Sequence, residues 1–198
     1  RAEAAIDNKG TRTVGRDIAE LSATFNSAFG LQESTAVYLF TVPSHPRELI
    51  FVEARQEHVV GSEGTLVMVD AGRSRIESGS GLKPFDLDSN SAQISLYLTH
   101  PLRRGRNFSL FLGGSLEARN SEERQESRQT FDDRLRVARL RVRTFFTDDH
   151  AGENLVIVTG SKGFEVLGAS PENSTTLSRR GGKADFLKLD AQYIRWQG

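Results

Sequence analysis

Three arginines at alternate positions, Arg139, Arg141 and Arg143, are interleaved with Leu140, Val142 and Thr144. In an extended strand this spacing puts three guanidinium groups on one face and the uncharged residues on the other. A guanidinium row can hold carboxylates or an anionic segment, but it exchanges no proton near neutral pH and supplies no nucleophile. The other groups suited to chemistry do not assemble. His45, His58, His100 and His150 are scattered without metal-ligand spacing. Asp148-Asp149-His150 sits in turn-like sequence and has no nucleophile at a workable distance. Gly160-Ser161-Lys162-Gly163 lacks the Gly-x4-Gly-Lys-Ser/Thr form of a phosphate loop, and Arg179-Arg180-Gly181-Gly182-Lys183 reads as a solvated loop. With no cysteine, the chain has neither disulfides nor a thiolate zinc site. These patterns predict no catalytic residue, no metal and no cofactor, hence a protein that is not an enzyme.

Composition narrows the partners. The 198 residues carry 26 basic and 26 acidic side chains, so no net charge advertises nucleic acid. Hydrophobic residues make up 37% and the mean hydropathy is −0.43. No run approaches the ~18 apolar residues of a membrane-spanning helix. A β-barrel of the outer membrane remains compatible with this average, because its water-facing positions dilute the hydropathy.

The elements that would carry the arginine row are long alternating strands. Residues 108–119 set Phe108, Leu110, Leu112, Gly114, Leu116 and Ala118 against Ser109, Phe111, Gly113, Ser115, Glu117 and Arg119. This is about twice the usual strand length of ~5–6 residues and matches the ~9–11 that cross a bilayer. Similar stretches are expected at 35–42, 50–60, 65–75, 92–102, 134–148, 154–167 and 185–196. Residues 17–29 also alternate, although Ile18, Leu21 and Phe25 fit an amphipathic helix as well. With a partial strand in residues 1–8, the total is nine long strands and one short one. Residues 77–91 and 120–132 read as polar loops, 168–184 as a long Gly/Ser/Asn/Arg loop, and Gly61-Ser62-Glu63-Gly64 as a tight hairpin turn. Arg134 and Arg136 have the opposite parity to the arginine row, and a β-bulge near Val137-Ala138 would reunite all five. Connections alternate between short and long, as in outer-membrane barrels with their short periplasmic turns.

Three segments carry a resemblance to a family. Asp7-Asn8-Lys9-Gly10…Thr13-Val14-Gly15 resembles the Asp-Asn-x-Gly…Thr-Gly signature that opens the barrel of two-partner-secretion transporters, the haemolysin-activator and filamentous-haemagglutinin-transporter type. Asn26-Ser27-Ala28-Phe29-Gly30-Leu31 is similar to their Asn-Pro-Leu-Gly-Leu turn, with Ser27-Ala28 in place of Pro-Leu. Leu98-Thr99-His100-Pro101-Leu102-Arg103 is similar to their Tyr/Ser-x-Pro-Leu-Arg strand end. The resemblance implies an all-β, antiparallel, up-and-down transmembrane β-barrel, of which residues 1–198 form about ten of roughly sixteen strands. Periplasmic domains, later strands and the Val-Arg-Gly-Tyr loop of the family would then lie outside this stretch, a piece of a longer protein.

The resemblance further implies an outer-membrane channel that exports one large partner protein of the adhesin or cytolysin class. Its partners would be that exoprotein and the surrounding lipids. On this reading Arg139, Arg141, Arg143, Glu53, Arg55, Glu117, Lys188, Asp190 and Gln192 line the lumen. Phe108, Leu110, Leu112, Leu116, Leu140, Val142, Phe146, Leu187, Leu189 and Tyr193 face lipid. An arginine at the bilayer midplane costs about 2–4 kcal/mol, which keeps the arginine row off the lipid face. The row either pairs with lumen acids such as Glu53 or Asp190 or guides the exported polypeptide. A passive porin for small solutes and a soluble all-β binding domain are the competing readings.

Overall fold

A computed structural model of the chain describes residues 1–10, 15–79, 85–172 and 174–197. Among these are ten strands: β1 (Ala2–Asp7), β2 (Ile18–Asn26), β3 (Glu33–Thr41), β4 (Ile50–Val60), β5 (Thr65–Glu77), β6 (Leu87–Arg103), β7 (Phe108–Gln125), β8 (Arg128–Thr147), β9 (Glu153–Gly163) and β10 (Leu187–Trp196). They form one antiparallel up-and-down sheet in sequence order, open between β1 and β10. Within residues 17–29, which fit a helix equally well by spacing, Ile18–Asn26 form a strand and residues 27–29 begin the turn. Leu21 pairs with Ala4 on one side and Leu39 on the other, so its alternation is used by two neighbours at once. Thr13 and Val14 of the opening signature, and residues 80–84 of the loop expected at 77–91, lie outside the described residues.

Turn chemistry fixes the ends. Gly61 and Gly64 both adopt positive φ (72° and 73°) in the four-residue turn between β4 and β5. Glu33, almost fully buried, accepts hydrogen bonds from the backbone N–H groups of Phe29 (2.6 Å) and Leu31 (2.9 Å), holding the turn that enters β3. Pro101 has no N–H to donate, and the β6–β7 register shifts beside it, with Leu102 as the extra residue.

Three expectations fail. Residues 87–91, read as the end of a polar loop, already belong to β6 and pair with β7, and all but Leu87 also with β5. Residues 120–132 are not a loop: β7 and β8 continue through them as a hairpin closed by Glu126 and Ser127, both at positive φ (49° and 64°). The stretch is polar on both faces, so the hydrophobic alternation that marks a strand is missing, while backbone pairing proceeds regardless. Nor is there a bulge near Val137-Ala138. Pairing runs unbroken from Phe108↔Phe146 to Glu123↔Phe131, and the shift falls at Thr130 instead. Arg134 and Arg136 therefore lie on the face opposite Arg139, Arg141 and Arg143.

Because β8 outruns β9, part of its edge needs other partners. The connection at residues 164–186 supplies them. Phe164 N–H donates to the Arg136 carbonyl (2.9 Å), Ser170 N–H to the Arg134 carbonyl (2.9 Å), and Asp132 N–H to the Thr176 carbonyl (2.7 Å). Gly163 admits this crossing, since a Cβ there would stand 2.0 Å from the Ala184 carbonyl oxygen.

At the other end, Asp148 ties the β8–β9 turn to β10. Its Oδ1 accepts from the His150 and Gly152 N–H groups, and its Oδ2 from Asn154 Nδ2 (3.1 Å) and Arg195 Nε (2.9 Å). The bond from Arg195, then those from Asn154 and Gly152, hold the Asp148 carboxyl well below the usual carboxylate range. A depressed folded-state value stabilises above the unfolded value of about 4 and is lost as pH falls below it. Acid unfolding should therefore start at higher pH for Asp148→Asn than for wild type, because the variant lacks this contribution throughout and the wild type loses it only as the carboxylate is protonated. Coincident acid transitions, followed by Trp196 fluorescence, would refute the role assigned to Asp148.

Candidate functional site

Because the ladder is antiparallel with only those two shifts, residue parity assigns each side chain to a face. One face carries Glu53, Arg55, Glu117, Arg139, Arg141, Arg143, Lys188, Asp190 and Gln192 together. The other carries Phe108, Leu110, Leu112, Leu116, Leu140, Val142, Phe146, Leu187, Leu189 and Tyr193.

The two faces differ in exposure as well as polarity. On the polar face the side chains of Asp70 and Glu117 are 6% and 13% exposed, whereas Leu116 and Leu187 on the apolar face are 59% and 82% exposed. Side chains converge and shield one another on the concave side of a curved sheet and splay apart on its convex side. The polar face is thus the concave one. Among the described residues the buried hydrophobic side chains are only Ala36, Val42, Val137 and Ala184. The usual arrangement of a water-soluble domain is inverted.

A polar chain crosses the concave face. Arg55 on β4 is 3.0 Å from Glu53 and 3.8 Å from Asp70 on β5. Gln93 on β6 donates to Asp70 (3.4 Å) and accepts from Arg119 on β7 (2.7 Å). Arg119 is 3.5 Å from Glu117, and Glu117 accepts from Arg139 on β8 (2.9 Å). Asp70, Gln93 and Arg119 were not singled out from the sequence. The parity of Val67, Val69 and Ala71 would have put Asp70 on the polar face, but its partners depend on register across strands.

The arginine row divides. Arg139 is neutralised by Glu117, not by Glu53 or Asp190. Glu53 lies four strands away, about 19 Å at ~4.8 Å per strand, and is held by Arg55. Asp190 is held by Lys188 at 2.8 Å. Arg141 donates from Nε to the neutral Thr159 Oγ1 (3.2 Å). Arg143 lies over the rings of Phe111 (4.8 Å) and Phe145 (5.5 Å), with a buried Nε that has no acceptor. Neither Arg141 nor Arg143 has a carboxylate partner among the described residues. Gly113, directly opposite Arg141, leaves open a concavity of about 220 Å³ with Tyr97, Thr99, Ser115, Glu117 and Arg139 around it.

Two of the histidines contact hydroxyl groups. His100 Nδ1 is 2.8 Å from Thr65 Oγ1 and His45 Nδ1 is 3.1 Å from Ser44 Oγ. No cluster of metal-ligating side chains forms among the described residues.

No protein-family model and no curated protein sequence matches the chain. Among solved structures it is similar to CdiB from Escherichia coli, with a TM-score of 0.80 and 17% identity over 97% of this chain and 36% of that one. It is also similar to CdiB from Acinetobacter baumannii, with a TM-score of 0.55 and 14% identity over 81% of this chain and 30% of that one. The chain thus spans about a third of their length. The likeness shows the fold: an all-β, antiparallel, up-and-down sheet that matches part of the CdiB barrel.

The Glu117–Arg139 pair is testable by a double-mutant cycle (Glu117→Gln, Arg139→Gln) in the folded protein. A coupling of about 1 kcal/mol is expected for contacting charges. A coupling near zero in urea titrations would mean that the pair does not hold β7 against β8.

Proposed function

We propose that this chain is part of the wall of an outer-membrane channel that moves a partner protein from the periplasm to the cell surface in two-partner secretion. The observation that carries the reading is the inverted sheet, apolar on its convex face and polar and ion-paired on its concave face. The likeness to CdiB supports secretion over a passive porin. A soluble all-β binding domain would need an apolar core, and four small buried hydrophobic residues do not make one.

In this reading the convex set from Phe108 to Tyr193 meets lipid, and the concave set from Glu53 to Gln192 lines the lumen. The short connections at residues 27–32, 61–64, 104–107 and 148–152 face the periplasm, and the long β7–β8 hairpin with the 164–186 connection faces outward. Glu53, Arg55, Glu117 and Arg139 hold the wall together. Arg141 and Arg143, free of carboxylates, meet the carboxylates and carbonyl oxygens of a passing polypeptide of the adhesin or cytolysin class.

Two measurements test this. Leu140→Arg should destabilise the full-length protein in vesicles by about 2–4 kcal/mol, as expected for a midplane lipid-facing site. Gln192→Arg on the lumen side should stay within about 0.5 kcal/mol of wild type. Equal costs would overturn the facial assignment. Co-expression with the protein encoded beside it should release that protein to the medium, and Arg141→Glu should lower the release and alter single-channel conductance. If both are unchanged, Arg141 does not guide; if the channel conducts but releases no neighbour-encoded protein, the porin reading replaces this one.

A further inference from the structure

The convex face also carries charge, and its position is informative. Arg73 pairs in register with Val52 and Ala92 and shares its face with Val67, Val69 and Ala71. It is the ninth residue of β5 from the short-connection end. Arg136 pairs with Ala118, shares its face with Leu140 and Val142, and is the twelfth residue of β8 counted from Thr147. Since about 9–11 residues cross the hydrocarbon, both lie at its outer border. Three strand spacings separate β5 from β8, roughly 14 Å at ~4.8 Å each.

Neither arginine is neutralised by an acid among the described residues. Arg136 donates only to neutral acceptors: the carbonyls of Leu167 (3.3 Å), Arg119 (3.2 Å) and Leu135 (2.8 Å), and Asn120 Oδ1 (2.9 Å). The other convex-face cations at this end are compensated. Arg75 pairs with Glu77 and Asp88, Arg134 with Asp132, and Lys162 with Asp185. Beside Arg136, the connection after β9 turns Leu167 outward at 84% exposure, with Val166 and Phe164 exposed next to it. An exposed apolar loop with a cation beside it suits the boundary between acyl chains and headgroups.

We propose that Arg73 and Arg136 each bind one of two phosphates of a lipid headgroup in the outer leaflet, with Phe164, Val166 and Leu167 inserted among its acyl chains. The guanidinium group matches phosphate with paired N–H donors, and the low dielectric of the border strengthens the contact. The inference rests on the membrane reading above and adds the identity of a lipid ligand to it.

The test uses the full-length protein in phosphatidylcholine vesicles doped with bisphosphorylated lipid A or its dephosphorylated form. Native mass spectrometry after detergent extraction reads the lipid retained. Wild type should retain the phosphorylated form preferentially. Arg73→Gln, whose side chain has no partner in the described structure to lose, should lower retention about tenfold, as for one charge-assisted contact. Arg73→Gln with Arg136→Gln should abolish the preference, while Arg75→Gln should leave it intact. Equal retention of both lipids by wild type, or of the phosphorylated lipid by wild type and the double variant, overturns the proposal. Failure of wild type to insert into any vesicle would overturn the membrane reading itself.

Discussion

The constraint on which the molecule depends is the continuity of its backbone ladder. From β1 to β10 every neighbour is antiparallel, and the period-two alternation of one strand is handed to the next without a slip in the central band. A slip of one residue would reverse every side chain beyond it and place Arg139, Arg141 and Arg143 among leucines. The two register shifts, at Leu102 and Thr130, fall toward opposite ends of their strands, where a change of face costs little. Stability in such a sheet comes from pairing and facial segregation, since there is almost no shared apolar interior.

Segregation explains the unusual distribution of polar burial. Asp70, Ser95, Thr159 and Ser161 are among the most enclosed side chains, and all face the concave side. Enclosed polar groups are tolerable only when bonded, and the chain of contacts from Glu53 to Arg139 meets most of that demand. The exceptions are informative. Within that chain Arg55 Nε and Asp70 Oδ2 lack a hydrogen-bond partner, as does Thr41 Oγ1, and near Gly113, which removes bulk, Arg143 Nε has no acceptor while Arg141 has only a hydroxyl.

Much of the fold was legible in the sequence wherever one face of a strand is apolar and the other polar. The 50–60 strand and its turn were placed to the residue, and the strand beginning at Phe108 started where expected. Legibility failed at residues 120–132, where β7 and β8 project with polar residues on both faces and only backbone hydrogen bonds mark them as strands. It failed again at Arg134 and Arg136, where similarity of charge suggested a shared face that the ladder denies. For the polar face, membership followed from parity, but pairing did not. Arg139 meets Glu117 because they sit on adjacent strands near the same level, a relation between segments that no single stretch encodes.

The 164–186 connection has a consequence of its own. An extended strand with a bare edge recruits any unstructured chain that comes near, by adding it as another strand. The upper part of β8 would be such an edge, since β9 stops at Gly163 while β8 reaches back to Arg128. By occupying the donors and acceptors around Asp132, Arg134 and Arg136, the connection leaves that wall non-adhesive. If the chain forms the proposed conduit for a polypeptide, this property would keep cargo from being templated onto the wall and held there.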